Sequence, residues 1–205
     1  MKKLNYLIAV LAIISLMFGQ EKNNSPKFNI SFAQELSEGV IDGRVMLLIS
    51  TNDDDEPRFQ ISDDVNTQLV FGIDVEGITS NDQVRFTGVE FGYPLSSLSE
   101  LPEGDYYVQA LLHKYETFNL STGHTVMLPM DYGEGQKWNT SPGNYLSKPQ
   151  MIHIMPGVKL DIKMTEVIPP IEPPQDTKYI KHVQMKSELL SKFWGRDMYL
   201  GANVL

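Results

Sequence analysis

Apolar and polar residues alternate along three stretches of the chain. At residues 28–32 every second side chain is phenylalanine or isoleucine, and the positions between them are Asn29 and Ser31. Residues 69–75 and 158–164 repeat this period of two. Because successive side chains of a strand point to opposite faces of a sheet, the pattern predicts three strands with one buried face each.

Two further stretches extend the β pattern. Residues 44–50 (RVMLLIS) are apolar almost throughout, which predicts a central strand, and residues 105–118 are long enough to bend between two sheets. Clusters of Gly, Pro, Asn and Asp separate the strands, and no helical period of ten or more residues follows residue 19. The sequence therefore predicts an all-β fold, with residues 28–165 forming an immunoglobulin-like antiparallel β-sandwich.

A turn followed by a tyrosine supports the sandwich. Residues 101–110 read LPEGDYYVQA, with Gly104 in the turn and Tyr106 at the start of the strand. This resembles the tyrosine corner of immunoglobulin-like domains, in which the phenol hydrogen-bonds the backbone of the preceding turn. We expect a structural role for Gly104 and Tyr106, and Tyr107, on the opposite face, is the second candidate for the corner.

The first nineteen residues have the pattern of a secretory signal peptide. Lys2 and Lys3 precede an apolar run at residues 4–18, and small or polar residues follow it. The run is shorter than the ~20 residues that span a membrane, so an uncleaved anchor is the second interpretation. We therefore expect a secreted or periplasmic protein that loses residues 1–19 and has no stable membrane insertion after cleavage.

Composition excludes several classes of protein. The 205 residues include no cysteine, which excludes disulfides, a thiol nucleophile and cysteine-ligated metals. The 17 basic and 26 acidic residues give a net charge of −9, and loss of Lys2 and Lys3 with the signal brings it to −11. Nucleic acids and anionic membranes require a basic footprint, so we expect neither as a partner. No motif indicates a cofactor.

Proline content and charge divide the rest of the chain. Residues 166–177 contain closely spaced prolines, which fix φ and remove backbone donors, so this segment is predicted to be a stiff linker. Residues 178–205 carry five basic and two acidic residues, whereas the part before them is strongly acidic. This difference predicts two structural units, one on each side of the linker.

One long loop contains the candidate binding residues. Residues 123–144 are rich in Gly and Pro and carry aromatic side chains and charges of both signs. Long ordered loops are where binding residues concentrate. Trp138 is the main candidate for stacking on a ligand or docking on a neighbouring domain, and Tyr132, His124 and Lys137 accompany it. The structural alternative places Trp138 at one end of the sandwich core.

The sequence lacks the common catalytic motifs. No serine has Gly at both the second preceding and the second following position, and there is no His-Glu-x-x-His pair, P-loop or EF-hand loop. The four histidines fall on different predicted segments. Asp53, Asp55 and Asp63 offer carboxylate oxygens of the kind that Ca²⁺ binds, but we favour a solvated acidic turn and expect no metal site. We therefore expect no catalytic residue and no cofactor in this chain.

Three stretches, taken in order, resemble one protein family. They are residues 101–115 (LPEGDYYVQALLHKY), the loop 123–144, and residues 176–202, which include DTKYIKHV and SELLSKFWGRDMYLGA. Together they are similar to the amino-terminal part of secreted esterases of the enterochelin-esterase-like α/β-hydrolase kind. The resemblance implies a β-rich accessory domain before a hydrolase domain, whose serine, acid and histidine would follow residue 205. No catalytic residue of that family is therefore assigned here.

The last segment agrees with this resemblance. Apolar or small residues at 198, 200, 202 and 204 alternate with the others, which predicts a strand. We expect residues 178–205 to be the opening strands of a truncated hydrolase domain, with residues 187–194 forming either strand or a short helical turn that ends at Gly195.

Two functions are compatible with these patterns. The first is a non-catalytic accessory domain that positions or shields the active site of a C-terminal hydrolase domain in the same polypeptide. The alternative is a free-standing secreted protein that binds carbohydrate or peptide through the loop 123–144. The chain's own sequence contains no elbow serine that would make it an independent hydrolase.

Overall fold

A computed structural model describes residues 24–36, 39–172 and 174–205. Strands account for 44% of the structure and helices for 9%, so the predicted all-β class is confirmed. The predicted signal peptide, residues 1–19, lies outside the described residues. In the part of the chain that is described, no helix combines the length and apolarity that a membrane span requires.

The described residues form thirteen strands and one short α-helix. The strands are β1 (Lys27–Phe32), β2 (Ile41–Ser50), β3 (Leu69–Ile78), β4 (Val84–Phe86), β5 (Gly92–Tyr93), β6 (Gly104–Asn119), β7 (Thr125–Leu128), β8 (Tyr145–Leu146), β9 (Gln150–Ile154), β10 (Lys159–Met164), β11 (Glu166–Val167), β12 (Lys181–Lys186) and β13 (Tyr199–Val204). The helix is α1 (Glu188–Trp194).

The main sheet is built around β2 and β6. Its strand order is β11-β8-β6-β2-β3-β5, and β9 also pairs with β6. As its apolar sequence predicts, β2 is central, since it pairs antiparallel with β3 on one side and with β6 on the other. The long β6 continues beyond the main sheet and pairs with β7, so its last residues belong to a separate hairpin.

A second sheet packs against the main one and has the order β10-β1-β4. The strand β1 pairs antiparallel with β4, but it pairs in parallel with β10, from Lys27 opposite Lys159 to Phe32 opposite Met164. The predicted sandwich was antiparallel throughout, and this pair is where the structure differs. Both strands show the alternating burial that their sequences predict.

The core lies between the two sheets. Phe28, Ile30 and Phe32 of β1 are almost wholly buried, and they pack with the inner-facing side chains of the central strands. Those central side chains are Val45, Leu47, Ile49, Val108, Ala110 and Leu112. The opposite face of β2 and β6 carries a smaller cluster of Met46, Leu48 and Leu111. The main sheet therefore buries apolar side chains on both faces.

The turn before β6 has the geometry expected of a tyrosine corner. The hydroxyl of Tyr106 donates a hydrogen bond to the carbonyl oxygen of Pro102 at 3.0 Å, and the Tyr106 ring is buried. A Cβ at Gly104 would lie 3.4 Å from that ring. Tyr107 points to the other face, where it interacts with Asp53.

Part of the predicted linker belongs to the main sheet. Glu166–Val167 forms β11 and pairs with β8, and the backbone of Ile168 exchanges hydrogen bonds with Gly143 and Asn144. Residues 169–172 and 174–177 have no regular secondary structure.

The final segment contains two strands and a capped helix. The strands β12 and β13 pair only with each other among the described residues, antiparallel, in a two-stranded sheet. Between them, Ser187 caps α1 by accepting a hydrogen bond from the backbone N–H of Leu190, and the helix ends at Gly195 with φ of 69°. The sequence predicted the strand at 198–204 and left residues 187–194 open between strand and a short helical turn, and the structure shows the helix.

Candidate functional site

An aromatic contact joins the final segment to the β6–β7 hairpin. Trp194, the last residue of α1, packs edge-on against Phe118 of β6, with ring centroids 5.3 Å apart. The backbone N–H of Ser121 donates to the carbonyl oxygen of Phe193 at 2.8 Å. These contacts and the ion pair described next form what we call the joint, which fixes the position of the final segment on the sandwich.

An ion pair reinforces the joint. Arg196 Nη1 donates to one carboxylate oxygen of Glu116, and the hydroxyl of Tyr132 donates to the other. The Arg196 guanidinium also lies over the Phe118 ring, 5.2 Å from its centroid. Three parts of the chain, namely β6, the loop after β7 and the residues after α1, therefore meet at Glu116.

Burial and hydrogen bonding perturb the groups of this cluster. Burial is the largest single influence on Glu116 and opposes its ionisation, but the hydrogen bonds from Arg196 and Tyr132 and the Arg196 charge outweigh it, so the pKa of Glu116 is lowered. Burial, followed by the hydrogen bond to Glu116, raises the pKa of Tyr132 to about 12. At neutral pH the cluster therefore contains a carboxylate, a guanidinium and a neutral phenol.

A cleft of about 880 Å³ lies beside the joint. The loop after β7, the polar face of the β12–β13 sheet and the end of α1 form its walls. The aromatic, amide and carboxylate side chains that line it include Tyr132, Gln136, Gln184, Trp194, Asp197 and Tyr199. Tyr132 also lines a second cavity of about 560 Å³, next to Lys114, Asn144 and Ile171. Tyr132 therefore separates two neighbouring cavities.

The loop that borders the cleft is held by its own hydrogen bonds. Oδ1 of Asp131 accepts from the backbone N–H groups of Gly133, at 2.8 Å, and Gly135, at 3.2 Å. Gln136 follows with φ of 62°, and no other non-glycine residue in the described ranges has a positive φ. A side chain is rarely placed in this conformation unless surrounding contacts enforce it, so the position of Gln136 in the cleft wall is well defined.

The charged groups around the cleft are paired. Asp197 lies 2.7 Å from Nζ of Lys186, Glu116 is paired with Arg196, and the Asp131 carboxylate accepts from backbone amides. The cleft surface therefore combines aromatic rings and aliphatic side chains, such as Leu128 and Met130, with two side-chain amides and the carboxylates of Asp131 and Asp197.

The four binding candidates from the sequence lie in different places. Tyr132 is in the cleft wall and at the joint. Trp138, in contrast, packs half-buried on the outer-face cluster of Met46, Leu48 and Leu111. Its location is therefore neither the cleft nor the end of the sandwich core. Its carbonyl oxygen accepts from Asn144 Nδ2 at 2.8 Å, which holds the loop on that face.

The two other candidates are exposed. His124 lies in the turn between β6 and β7, where Nδ1 is 3.1 Å from the Thr122 hydroxyl. The side chain of Lys137 is solvent-exposed, and its carbonyl oxygen accepts from the backbone N–H of Thr140 at 3.0 Å. Of the four sequence candidates, Tyr132 is therefore the one that shares the cleft with the final segment.

The acidic side chains near residue 55 belong to turns. The Asp55 carboxylate accepts from the Glu56 backbone N–H at 2.7 Å, Asp53 interacts with Tyr107, and Asp63 is exposed. Over the described ranges, no three His, Cys, Asp or Glu side chains are grouped so that they could hold a metal ion. These carboxylates are thus arranged as a solvated turn, which was the alternative to a Ca²⁺ site.

A buried polar network holds two loops over the outer face of the main sheet. Gln109 of β6 is fully buried, and its Nε2 donates to Glu56 at 2.9 Å. Arg58 pairs with the same carboxylate at 2.8 Å and donates to the carbonyl oxygen of Asn139 at 2.7 Å. Burial opposes ionisation of Glu56, but its partners together lower the pKa. This network anchors the segment that carries Trp138.

Sequence reasoning did not single out the joint. Glu116, Trp194 and Arg196 were not among the candidates, although Trp194 and Arg196 lie in the stretch SELLSKFWGRDMYLGA that carries the family resemblance. An arginine and a tryptophan close together just after a predicted helical turn were the available signal, because both residue types are enriched at interfaces.

Comparison of the chain with protein-family models, with curated proteins and with solved structures finds no match in any of the three. Functional inference for this chain therefore starts from the joint and the cleft.

Proposed function

We propose that this chain is the non-catalytic, amino-terminal part of a secreted or periplasmic esterase. In this proposal residues 28–165 form an immunoglobulin-like accessory domain, and residues 178–205 supply the opening strands of a C-terminal α/β-hydrolase domain of the same polypeptide. The accessory domain positions that hydrolase domain and shields its active site. The resemblance of residues 101–115, 123–144 and 176–202 to such esterases supports the proposal.

The observation that carries the proposal is the two-sidedness of the β12–β13 sheet. Its register places the apolar side chains on one face, and these are Val183, Met185, Leu200, Ala202 and Val204. All five are exposed, and the four largest have between 44% and 61% of their surface accessible. The opposite face, with Gln184 and Tyr199, lines the cleft toward the sandwich.

A sheet of this kind needs another element packed against its apolar face. A two-stranded sheet is marginally stable by itself, and contiguous exposed apolar side chains mark surfaces that pack against other elements. The polar side of the β12–β13 sheet faces the cleft beside the sandwich. The apolar side is therefore available to helices of a hydrolase domain, which cover the faces of an α/β sheet.

The joint supports a positioning role. Trp194 and Arg196 flank Gly195, where the chain leaves α1, and both contact β6 of the sandwich. A Cβ at Gly195 would lie 2.5 Å from the carbonyl oxygen of Asn119, so the two backbones approach closely there. Contacts of this kind set the orientation of the first hydrolase strands relative to the sandwich.

The coding sequence after the codon for Leu205 tests the proposal. We expect an open frame that reaches a Gly-x-Ser-x-Gly motif, and a full-length product that hydrolyses an activated aryl ester such as p-nitrophenyl acetate. Replacing the serine of that motif by alanine should abolish turnover. The 205-residue chain, which lacks such a serine, should give only background hydrolysis.

Two results would overturn the proposal. A stop codon directly after Leu205 favours the free-standing binding protein. Ester hydrolysis by the 205-residue chain that is lost on changing a single histidine would mean that the chain contains catalytic machinery of its own.

A further inference from the structure

We infer that the cleft beside the joint binds a neutral carbohydrate, with sugar rings lying against Tyr132, Trp194 and Tyr199. All residues of this cleft are in the described chain, so the inference does not depend on whether a hydrolase domain follows. It concerns a ligand site, whereas the proposed function concerns the placement of a second domain.

The dimensions of the cleft suit a small oligosaccharide. Its volume of about 880 Å³ is at the upper end of the ~300–1,000 Å³ range of small-molecule sites. It lies between the β6–β7 hairpin with its following loop and the final segment. Small-molecule sites often lie at such junctions.

Aromatic rings provide the apolar contacts. Tyr132, Trp194 and Tyr199 come from three different parts of the chain and line one cleft. The C–H groups on one face of a pyranose ring form a flat apolar patch, and such a patch packs well on an aromatic face. Tyr199 is 53% exposed, so its ring is available to a ligand.

Side-chain amides provide the polar contacts. Gln136 and Gln184 each present one amide oxygen and one amide NH₂ to the cleft, and the Tyr199 hydroxyl adds a donor and acceptor. Gln184 and Tyr199 lie on the same face of the β12–β13 sheet and both side chains are exposed, so their polar groups are accessible to a ligand. Sugar hydroxyls both donate and accept, so they match this set of groups.

The paired charges favour a neutral ligand over a charged one. Asp197 is neutralised by Lys186, and Glu116 by Arg196. An organic anion gains affinity from an unpaired cation, and the cleft would have to break the Lys186–Asp197 or the Arg196–Glu116 ion pair to provide one. A neutral, hydroxyl-rich ligand leaves both ion pairs intact.

Tryptophan fluorescence tests the inference directly. The chain has two tryptophans, and Trp138 packs on the outer face away from the cleft, so the Trp138→Phe chain reports Trp194 alone. It would be titrated with hexaoses of β-1,4-linked glucose, xylose, mannose and N-acetylglucosamine, and of α-1,4-linked glucose. At least one of them should change Trp194 emission with a Kd below about 1 mM. Calorimetry on the unchanged chain repeats the measurement without the reporter substitution.

Matched variants locate the site. Tyr199→Ala and Gln184→Ala should each weaken binding by about tenfold, a factor that corresponds to 1.4 kcal/mol. Tyr179→Ala is the control for the first, because Tyr179 is in the same segment, is 72% exposed and does not line the cleft. Far-ultraviolet circular dichroism checks that each variant is folded. If Tyr199→Ala does not fold, Gln184→Ala still tests the site, because Gln184 lies on an exposed strand face.

Three outcomes would overturn the inference. The first is that no hexaose in the panel binds below about 1 mM by either method. The second is that binding survives unchanged in both Tyr199→Ala and Gln184→Ala, which would place the site elsewhere. The third is that an unstructured peptide binds the cleft and no hexaose does, which would assign the site to a different class of ligand.

Discussion

Removing the charge of Arg196 should loosen the joint without unfolding the sandwich. Arg196→Met keeps an apolar side chain against Phe118 but removes the guanidinium that binds Glu116 and lies 5.2 Å from the ring centroid of Phe118. Glu116 retains its hydrogen bond from Tyr132, so its carboxylate is not left without a partner. The change therefore isolates the contribution of the guanidinium to docking of the final segment.

The expected loss follows from the exposure of the pair. The side chains of Arg196 and Glu116 are 38% and 29% exposed, and an ion pair of this exposure contributes about 0–1 kcal/mol after solvent screening. The contact of the guanidinium with the Phe118 ring adds about 0.5–1 kcal/mol. A total of about 0.5–2 kcal/mol corresponds to a roughly 2- to 30-fold increase in the population of the undocked segment.

Amide hydrogen exchange at Ser121 measures this opening. Its N–H donates to the carbonyl oxygen of Phe193, so exchange requires the joint to open, and the rate should rise by the same factor of roughly 2 to 30. Amides in β2 should keep their protection, because the sandwich core is unchanged. Lys181→Met is the control, since it removes an exposed ion pair with Asp176 inside the final segment.

The reasoning is refuted if Ser121 exchanges at the same rate in Arg196→Met as in the unchanged chain. It is also refuted if Lys181→Met accelerates Ser121 as strongly, because the effect would then reflect general loosening of the segment. Loss of protection throughout β2 would mean that the final segment and the sandwich unfold as one unit.

Further predictions concern the sandwich and the pH response of the joint. Tyr106→Phe should lower the free energy of unfolding by about 0.5–1.5 kcal/mol in urea melts. Tyr107→Phe should lower it by less, because Asp53, the exposed partner of Tyr107, can be hydrated instead. The reverse order would assign the corner to Tyr107. Trp138→Ala should destabilise the chain by less than the ~3–5 kcal/mol of a fully buried aromatic, because Trp138 is half-buried on the outer face, and an unchanged urea midpoint would contradict this packing. The pKa of Glu116 is lowered, so its contribution to docking is complete above the ordinary carboxyl range of about pH 4 and is lost as the pH falls through its folded-state pKa. Acid titration of Trp194 emission in the Trp138→Phe chain should therefore show a transition that Glu116→Gln removes, and a transition that persists in that variant would contradict the assignment.

Local patterns were enough to predict the strands β1, β2, β3, β6, β10 and β13. The apolar run of β2 indicates a strand that is buried on both faces, and the alternation in β1 and β10 indicates strands that are buried on one face. Both patterns can be read from consecutive residues of the chain. The same holds for the capped helix at 188–194, because Ser187 and Gly195 act on the backbone within one helical turn.

Contacts between distant residues were not predictable in this way. Asn29 and Asp161 hydrogen-bond across the parallel pair although 132 positions separate them, and Arg196 binds Glu116 across 80 positions. A single sequence contains no periodic signal for such pairings, since each residue's local pattern is satisfied by many partners.

The location of Trp138 likewise could not be predicted from the local sequence. The predicted loop 123–144 in fact begins with the strand β7. A half-buried tryptophan after it has the same sequence surroundings in a binding site, at the end of a core or on the outer face of a sheet. The deciding feature is the buried network of Gln109, Glu56 and Arg58, which holds the loop on the outer face. That network joins three separate segments of the chain.

The parallel pairing of β1 with β10 also affects how the sandwich responds to pulling. The two strands are the first and the last of their sheet in chain order, and they run side by side from Lys27 opposite Lys159 to Phe32 opposite Met164. Tension applied to the chain before β1 and after β10 acts along this ladder from opposite ends. Its backbone hydrogen bonds are then loaded together in shear, whereas an antiparallel pair pulled from one end would peel open one bond at a time. The sandwich is thereby protected against force applied along the direction from the start of β1 to the end of β10.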